Sequence, residues 1–235
     1  MKSLFAKIAD KYDTMNRIMS LGLDRLWRRT AIKGIDIPHG SRILDLACGT
    51  GDFTLELAKC WPDARITGID LTPEMIDIAR IKLSGYRNLT FHAGDAQNLS
   101  MLEPQAYSLI VCAFGFRNFP NKAKALSECR RLLADGGRLI VLELFRPTSR
   151  ILGMAVNAWL AVVSRLFASG AATEYRYLRK SVAETVSADE FTRMAEEAGF
   201  SVSSKKFMPP AATCVTIVSP LKSSKAPAIG VRCHQ

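Results

Sequence analysis

The hydrophobic pattern changes period several times along the chain, and each change marks an element. Near the start, Phe5, Ile8, Ala9 and Tyr12 recur at helical spacing, as do Leu23, Leu26, Trp27 and Ile32. This predicts one or two helices over residues 3–33. From Ser41 onward short apolar runs alternate with longer amphipathic stretches. The runs Arg42–Ala47, Arg65–Asp70, Leu89–Ala93, Tyr107–Ala113 and Arg138–Leu144 read as strands. Between them Phe53–Lys59, Pro73–Leu83 and Lys122–Leu133 read as helices, the last stopped by Asp135-Gly136-Gly137. Strands alternating with helices predict an α/β fold, a doubly wound and mostly parallel sheet with helices on both faces.

The texture changes after this core. Ile151–Phe167 is largely apolar, but Asn157, Ser164 and Arg165 interrupt it. A membrane-spanning helix needs about 20 predominantly apolar residues, so this stretch is expected to be core-packed or interfacial. A helix follows at Ala188–Ala198, stopped by Gly199. Two strands, Ser201–Phe207 and Cys214–Val218, close the pattern as an antiparallel hairpin at the sheet edge. The expected layout is a helical segment at 1–35, a core at 36–220 with a helical insertion at about 148–182, and a flexible basic tail at 221–235.

The first strand carries the first chemical signal. RILDLACGTGD (42–52) runs from a buried strand into a glycine turn with a helix behind it. Ligands of open α/β sheets sit outside the carboxyl end of such a strand, against the helix N-terminus. The G-x-G-x-x-G dinucleotide fingerprint is incomplete, because Thr54 stands at the third glycine position. Instead Asp45 precedes Gly49 by four residues. The loop resembles the D-x-[GA]-x-G-x-G element of class I S-adenosylmethionine-dependent methyltransferases, with Ala47 at the first small position. A tight strand-to-helix turn with no ligand would need the same glycines. In the ligand reading, Asp45 holds an ammonium through water, and Gly49, Thr50 and Gly51 admit the cofactor closely.

Later strand ends extend this reading. Asp70 closes the second strand nineteen residues beyond Gly51, where a carboxylate takes both hydroxyls of a ribose. Gly94-Asp95-Ala96 follows the third strand. In the methyltransferase pattern Asp95 reads an adenine amino group and the Ala96 backbone meets the ring; Asp95 could equally cap a short helix at Gln97. AFGFRN (113–118) leaves the fourth strand with a guanidinium and an amide side by side, so Arg117 and Asn118 are expected to face a substrate. The competing reading pairs Arg117 with a nearby carboxylate for structural reasons.

Charge and cysteines narrow the class. The chain of 235 residues carries a formal charge of +10, concentrated in three segments. Residues 1–35 hold eight Lys/Arg against three acids, 146–180 six against one, and 201–235 five against none. Such an excess suits nucleic acid, an anionic membrane surface or a solubility face. No N/D-P-P-Y/F motif and no Cys-Pro after the fourth strand support nucleic-acid methylation. The six cysteines show no C-x-x-C spacing and read as reduced thiols of a cytoplasmic protein, with no metal site expected. The N-terminus lacks the apolar region of a signal peptide.

One family matches these blocks together. YDTMNRIMSLGLDRLWRR (12–29) resembles the Y-D-x-M-N-x-x-x-S-x-G-x-H-R-x-W-[KR] signature of the ubiquinone/menaquinone biosynthesis C-methyltransferases. DLACGTGD, GIDLTPEMIDIAR, AFGFRN, the run from Cys129 to Glu143, EYRYLRKSV and AEEAGF resemble its later blocks, over about residues 3–219. The resemblance implies a Rossmann-like class I fold with seven strands, one antiparallel at the edge, and an N-terminal helical lid. It implies S-adenosylmethionine as cofactor and a reduced polyprenyl quinone such as demethylmenaquinol as acceptor. It also implies work at the inner face of the membrane as a peripheral protein, an assembly compatible with a homodimer, and no nucleic-acid partner. Tyr12, Asp13 and Asn16 would orient the ring, and Arg117 would stabilise the developing phenolate. Asp24 stands where the family usually has His, Ala211-Ala212-Thr213 where Thr-Gly-Gly is usual, and Ala113 where Ser is common. The first two departures are expected on the acceptor side. Competing functions are methylation of another small molecule, or cofactor binding without quinone chemistry.

Overall fold

The computed structural model describes residues 22–166, 180–220 and 230–233, together with Arg17 and Ser20. In chain order the elements are α1 (Leu23–Ile32), β1 (Asp36–Pro38), β2 (Arg42–Leu46), α2 (Asp52–Cys60), β3 (Arg65–Asp70) and α3 (Pro73–Lys82). Then follow β4 (Leu89–Ala93), β5 (Tyr107–Ala113), a 3-10 turn (Phe116–Asn118), α4 (Lys122–Leu132) and β6 (Leu133–Glu143). The last are α5 (Arg150–Leu166), α6 (Ala188–Glu197), β7 (Ser201–Met208), β8 (Ala212–Val218) and β9 (Gly230–Arg232).

Seven strands form one sheet in the order β4-β3-β2-β5-β6-β8-β7. The neighbours from β4 to β6 pair in parallel, and β8 runs antiparallel to both β6 and β7. The expected closing hairpin is therefore present, with β8 as its antiparallel member and β7 outermost. The central parallel strands β2 and β5 are buried on both faces, which is why they read as near-continuous apolar runs, whereas β4 at the edge is largely exposed. Along β5, Leu109 and Val111 join one core with Trp27, Leu57 and Trp61. Ile110 and Cys112 point into the opposite core, packed with Leu126 and Phe191.

Part of the N-terminal helical segment belongs to the body of the fold. Trp27, Ala31 and Ile32 of α1 are buried, and Trp27 Nε1 donates to the Pro209 carbonyl at 3.0 Å. Residues 1–16, with Tyr12, Asp13 and Asn16, lie outside the described residues. In the expected insertion, α5 packs Val156 and part of Trp159 against the first core, while 167–179 lie outside the described residues. No helix among the described residues is long and apolar enough to cross a membrane.

The end of the chain corrects one expectation. β9 pairs antiparallel with β1 as a separate two-stranded sheet, Asp36 opposite Arg232. That pairing carries Cys233 to the end of α2, where it forms a disulfide with Cys60 across Cα atoms 5.4 Å apart. Two of the six cysteines are thus not free thiols. The other four are free and buried. The partners are 173 residues apart in sequence, and only the strand pairing brings them together.

Candidate active site

The parallel strands end along one rim, and the turns leaving them wall a cleft. Its lining includes Gly49 after β2, Asp70 and Thr72 after β3, Asp95 after β4 and Asn118 after β5. The cleft spans about 890 Å³, open mouth included. Its walls are mostly apolar, with Met75, Phe114 and Phe119 among them.

Close backbone approach shapes this rim. Gly51 caps α2 with φ of +85°, and an added Cβ there would meet Leu83 Cδ1 at 2.8 Å. A side chain at that position would be strained and would also clash with the α3 packing. At Gly115 an added Cβ would come within 2.4 Å of the Ala47 Cβ. The turn after β5 therefore crosses the turn after β2 only because Gly115 has no side chain. Ala47 and Phe114, both lining the cleft, adopt φ of 53° and 60°. Non-glycine residues held in the left-handed region cost of order 1–3 kcal/mol each and cluster at functional sites.

Asp70 is held ready rather than left loose. Its Oδ2 accepts from the Gly49 amide at 3.0 Å and its Oδ1 from the Thr72 amide at 2.8 Å. Burial raises its pKa above the ordinary carboxylate value, against the pull of those amides. Asp95 accepts from the Gln97 amide at 2.9 Å and from Gln97 Nε2 at 3.0 Å. It thus closes a local turn, where the competing reading expected it to cap a short helix, and still lines the cleft beside Ala96. Asp45 lies beneath the glycine loop, entirely buried, and accepts from Thr54 Oγ1 at 2.6 Å. Burial pushes its pKa up to about 7, opposed by the Thr54 hydrogen bond and by Arg28.

The turn after β5 divides its two polar residues. Asn118 lines the cleft. Arg117 does not: its Nη1 donates to Glu143 Oε1 at 2.7 Å and to the Phe114 carbonyl at 2.5 Å, and its Nε donates to Ser181 Oγ at 3.3 Å. Glu143, fully buried at the end of β6, also accepts the amides of Arg117 at 2.9 Å and Leu144 at 2.8 Å. The loop faces the cleft as expected, but through Phe114, Gly115 and Asn118 and not through the guanidinium.

Two further residues escaped the sequence reading. Phe114 stands between the cleft and a smaller recess, and Arg28 stacks over its ring at 5.5 Å. Asp24 is buried behind Arg28 and paired with it one helical turn away. Through Arg28 it backs the recess beside the glycine loop. Ala211 and Thr213 line a different groove, with Phe145 and Phe207. The signal for Arg28 was present, because Asp24 and Arg28 are opposite charges at i and i+4 on the buried face of α1. No cluster of potential metal ligands occurs among the described residues.

The cleft suits an adenosyl group: a carboxylate beside a glycine turn, a small-residue crossing at Gly115, and a polar turn at the far end. Comparison with known proteins gives the same direction. A Thermotoga maritima demethylmenaquinone methyltransferase is 40% identical over 205 residues, covering 85% of this chain and 87% of that protein. A Geobacter ubiquinone/menaquinone biosynthesis C-methyltransferase is 36% identical over 205 residues, covering 85% and 87%. In fold the chain is similar to a SAM-dependent methyltransferase from Aquifex aeolicus, with a TM-score of 0.64, 18% identity, and coverage of 91% and 97%. The model of the ubiE/COQ5 methyltransferase family matches residues 1–217. The chain belongs to that family of methyltransferases, and its methyl donor is S-adenosylmethionine.

Proposed function

We propose that this enzyme methylates a ring carbon of a reduced polyprenyl quinone, with demethylmenaquinol as the acceptor. The observation that carries the reading is the union of a cofactor-type carboxylate, Asp70, with a wide apolar wall in one cleft. The names of the relatives agree with it.

When bound, S-adenosylmethionine supplies an electrophilic methyl group on a sulfonium. The residues of this chain do the rest. Asp70 takes the ribose hydroxyls, Asp95 and Ala96 meet the adenine, and Gly49, Thr50 and Gly51 let the backbone come close. Asp45 faces the ammonium end. The acceptor hydroquinone would give an oxygen proton to water, and its charge would reach the ortho carbon. After methyl transfer that carbon would release its ring proton to water, so alignment of the reactants dominates the barrier. Phe114 and Phe119 give that ring an apolar bed. Tyr12, Asp13 and Asn16 are proposed to orient the ring. Arg117 is assigned a positioning role, because it fixes the Phe114 carbonyl and ties the turn to Glu143.

Peripheral contact with the inner membrane face completes the proposal. Ile151 and Met154 are exposed on α5, and Arg146 and Arg150 lie at or before its start. Apolar residues beside basic ones suit an anionic lipid surface that delivers a greasy substrate. Quinones should be extracted from a host lacking this methylation step, with and without the chain, and analysed by mass spectrometry. Appearance of the methylated quinone supports the reading. An unchanged profile with the protein present and folded rejects it.

A further inference from the structure

The glycine loop borders a second recess, lined by Arg28, Asp45, Thr50, Asp52 and Phe53. It shares Ala47, Gly49, Ala113 and Phe114 with the main cleft, so the two are continuous around the loop. Its acids are engaged: Asp52 accepts from Lys82, and Asp45 accepts from Thr54. Arg28 is the cation on its wall.

That guanidinium is built in with care. Its side chain is 8% exposed, its Nη1 is held by Asp24, and Ser20 Oγ donates to the same carboxylate at 2.9 Å. Its Nε is buried and has no hydrogen-bond partner among the described residues. An unsatisfied buried donor is costly, and more so when it is charged. A rigid fork with a spare buried donor, at the wall of a recess, is suited to a carboxylate or phosphate oxygen.

The cofactor brings such an oxygen. With the adenine toward Asp95 and the ribose at Asp70, the remaining end of the donor lies past Gly49, where the recess opens. That end carries an ammonium and a carboxylate. Asp45 answers the first, and among the described residues lining the recess Arg28 is the cation for the second. We propose that Arg28 binds the methionyl carboxylate of S-adenosylmethionine in the recess between α1 and the glycine loop. Asp24 fixes the fork from behind, so the usual histidine position of the signature here serves the donor. The proposal rests on the assignment of the cleft to S-adenosylmethionine.

Calorimetric titration with two probes tests it, S-adenosylmethionine and its decarboxylated form, which keeps the sulfonium and the ammonium. The wild-type chain should prefer the intact cofactor by about 10- to 100-fold, the range of one charged hydrogen-bonding partner. Arg28→Met should lose most of that preference while binding the decarboxylated form as before. Removing Arg28 alone leaves Asp24 buried and unpaired, so Asp24→Asn combined with Arg28→Met is measured alongside and should behave the same way. An undiminished preference in the variants overturns the proposal, as does a parallel loss for both probes, which would mean a role in folding only. Failure of the wild-type chain to bind either probe overturns the cofactor assignment itself and the proposal with it.

Discussion

Asp70 at the end of β3 and Glu143 at the end of β6 both close an apolar parallel strand with an acid, yet their surroundings are opposite. Asp70 lines an open cleft and accepts from two backbone amides. Glu143 is fully buried and accepts from the Arg117 guanidinium and amide. The difference lies in what the neighbouring turn supplies. β2, beside β3, is followed by a glycine turn that offers an amide and no side chain. β5, beside β6, is followed by a turn that offers an arginine. A carboxylate met by amides and a hydroxyl but no cation stays available to hydroxyls of a ligand, whereas one met by a buried guanidinium becomes part of the scaffold.

The largest expected effect tests the scaffold half. Arg117→Met leaves Glu143 buried without its partner, and breaking such a pair costs about 3–5 kcal/mol. Chemical denaturation should show a loss of that size, while cofactor affinity of the folded fraction stays within severalfold of wild type. A variant as stable as wild type would break the comparison from this side.

Asp70→Asn tests the other half. Loss of a charged acceptor for the ribose should weaken S-adenosylmethionine binding by about 10- to 100-fold. Stability should not fall at neutral pH. Burial raises the folded pKa of Asp70, so its contribution to stability is fully present below the unfolded value and diminishes as pH rises through the folded one. A destabilised variant with normal cofactor affinity would make Asp70 another Glu143.

Asp45 gives the smallest and most specific signal. Its folded pKa of about 7 lies above the ordinary value, so stability declines as pH rises from the unfolded value through about 7, and Asp45→Asn should flatten that decline. An ammonium placed near Asp45 favours the charged carboxylate. Cofactor binding at pH 7 should therefore release about half a proton, since a group at its pKa is half protonated. Titration in buffers of different ionisation enthalpy measures this release. Equal release in wild type and Asp45→Asn would place the ammonium elsewhere.

The sequence made the α/β alternation legible because buried parallel strands are short apolar runs with turn residues at both ends. Arg65–Asp70, Leu89–Ala93 and Tyr107–Ala113 have the expected boundaries. The acids lining the cleft, Asp70 and Asp95, were legible because each closes or follows a strand that had already been recognised. A structural carboxylate for Arg117 was weighed, but its identity was not legible, since Glu143 lies 26 residues away and becomes a neighbour only when β5 pairs with β6. The Cys60–Cys233 disulfide was hidden for the same reason: β9 meets β1 in space, with no motif to announce it. Arg28 was overlooked because a basic residue in a positively charged segment was counted as surface charge.

The central claim is that this cleft brings the methyl of S-adenosylmethionine to a carbon of a reduced quinone. The direct measurement supplies the purified protein with cofactor deuterated in its methyl group and with short-chain demethylmenaquinol kept reduced, followed by mass spectrometry of the quinone. The account predicts a deuterated methyl on a ring carbon, formed by wild type and strongly reduced in Asp70→Asn at limiting cofactor. An unlabelled quinone, with the cofactor bound and the protein folded, would contradict it.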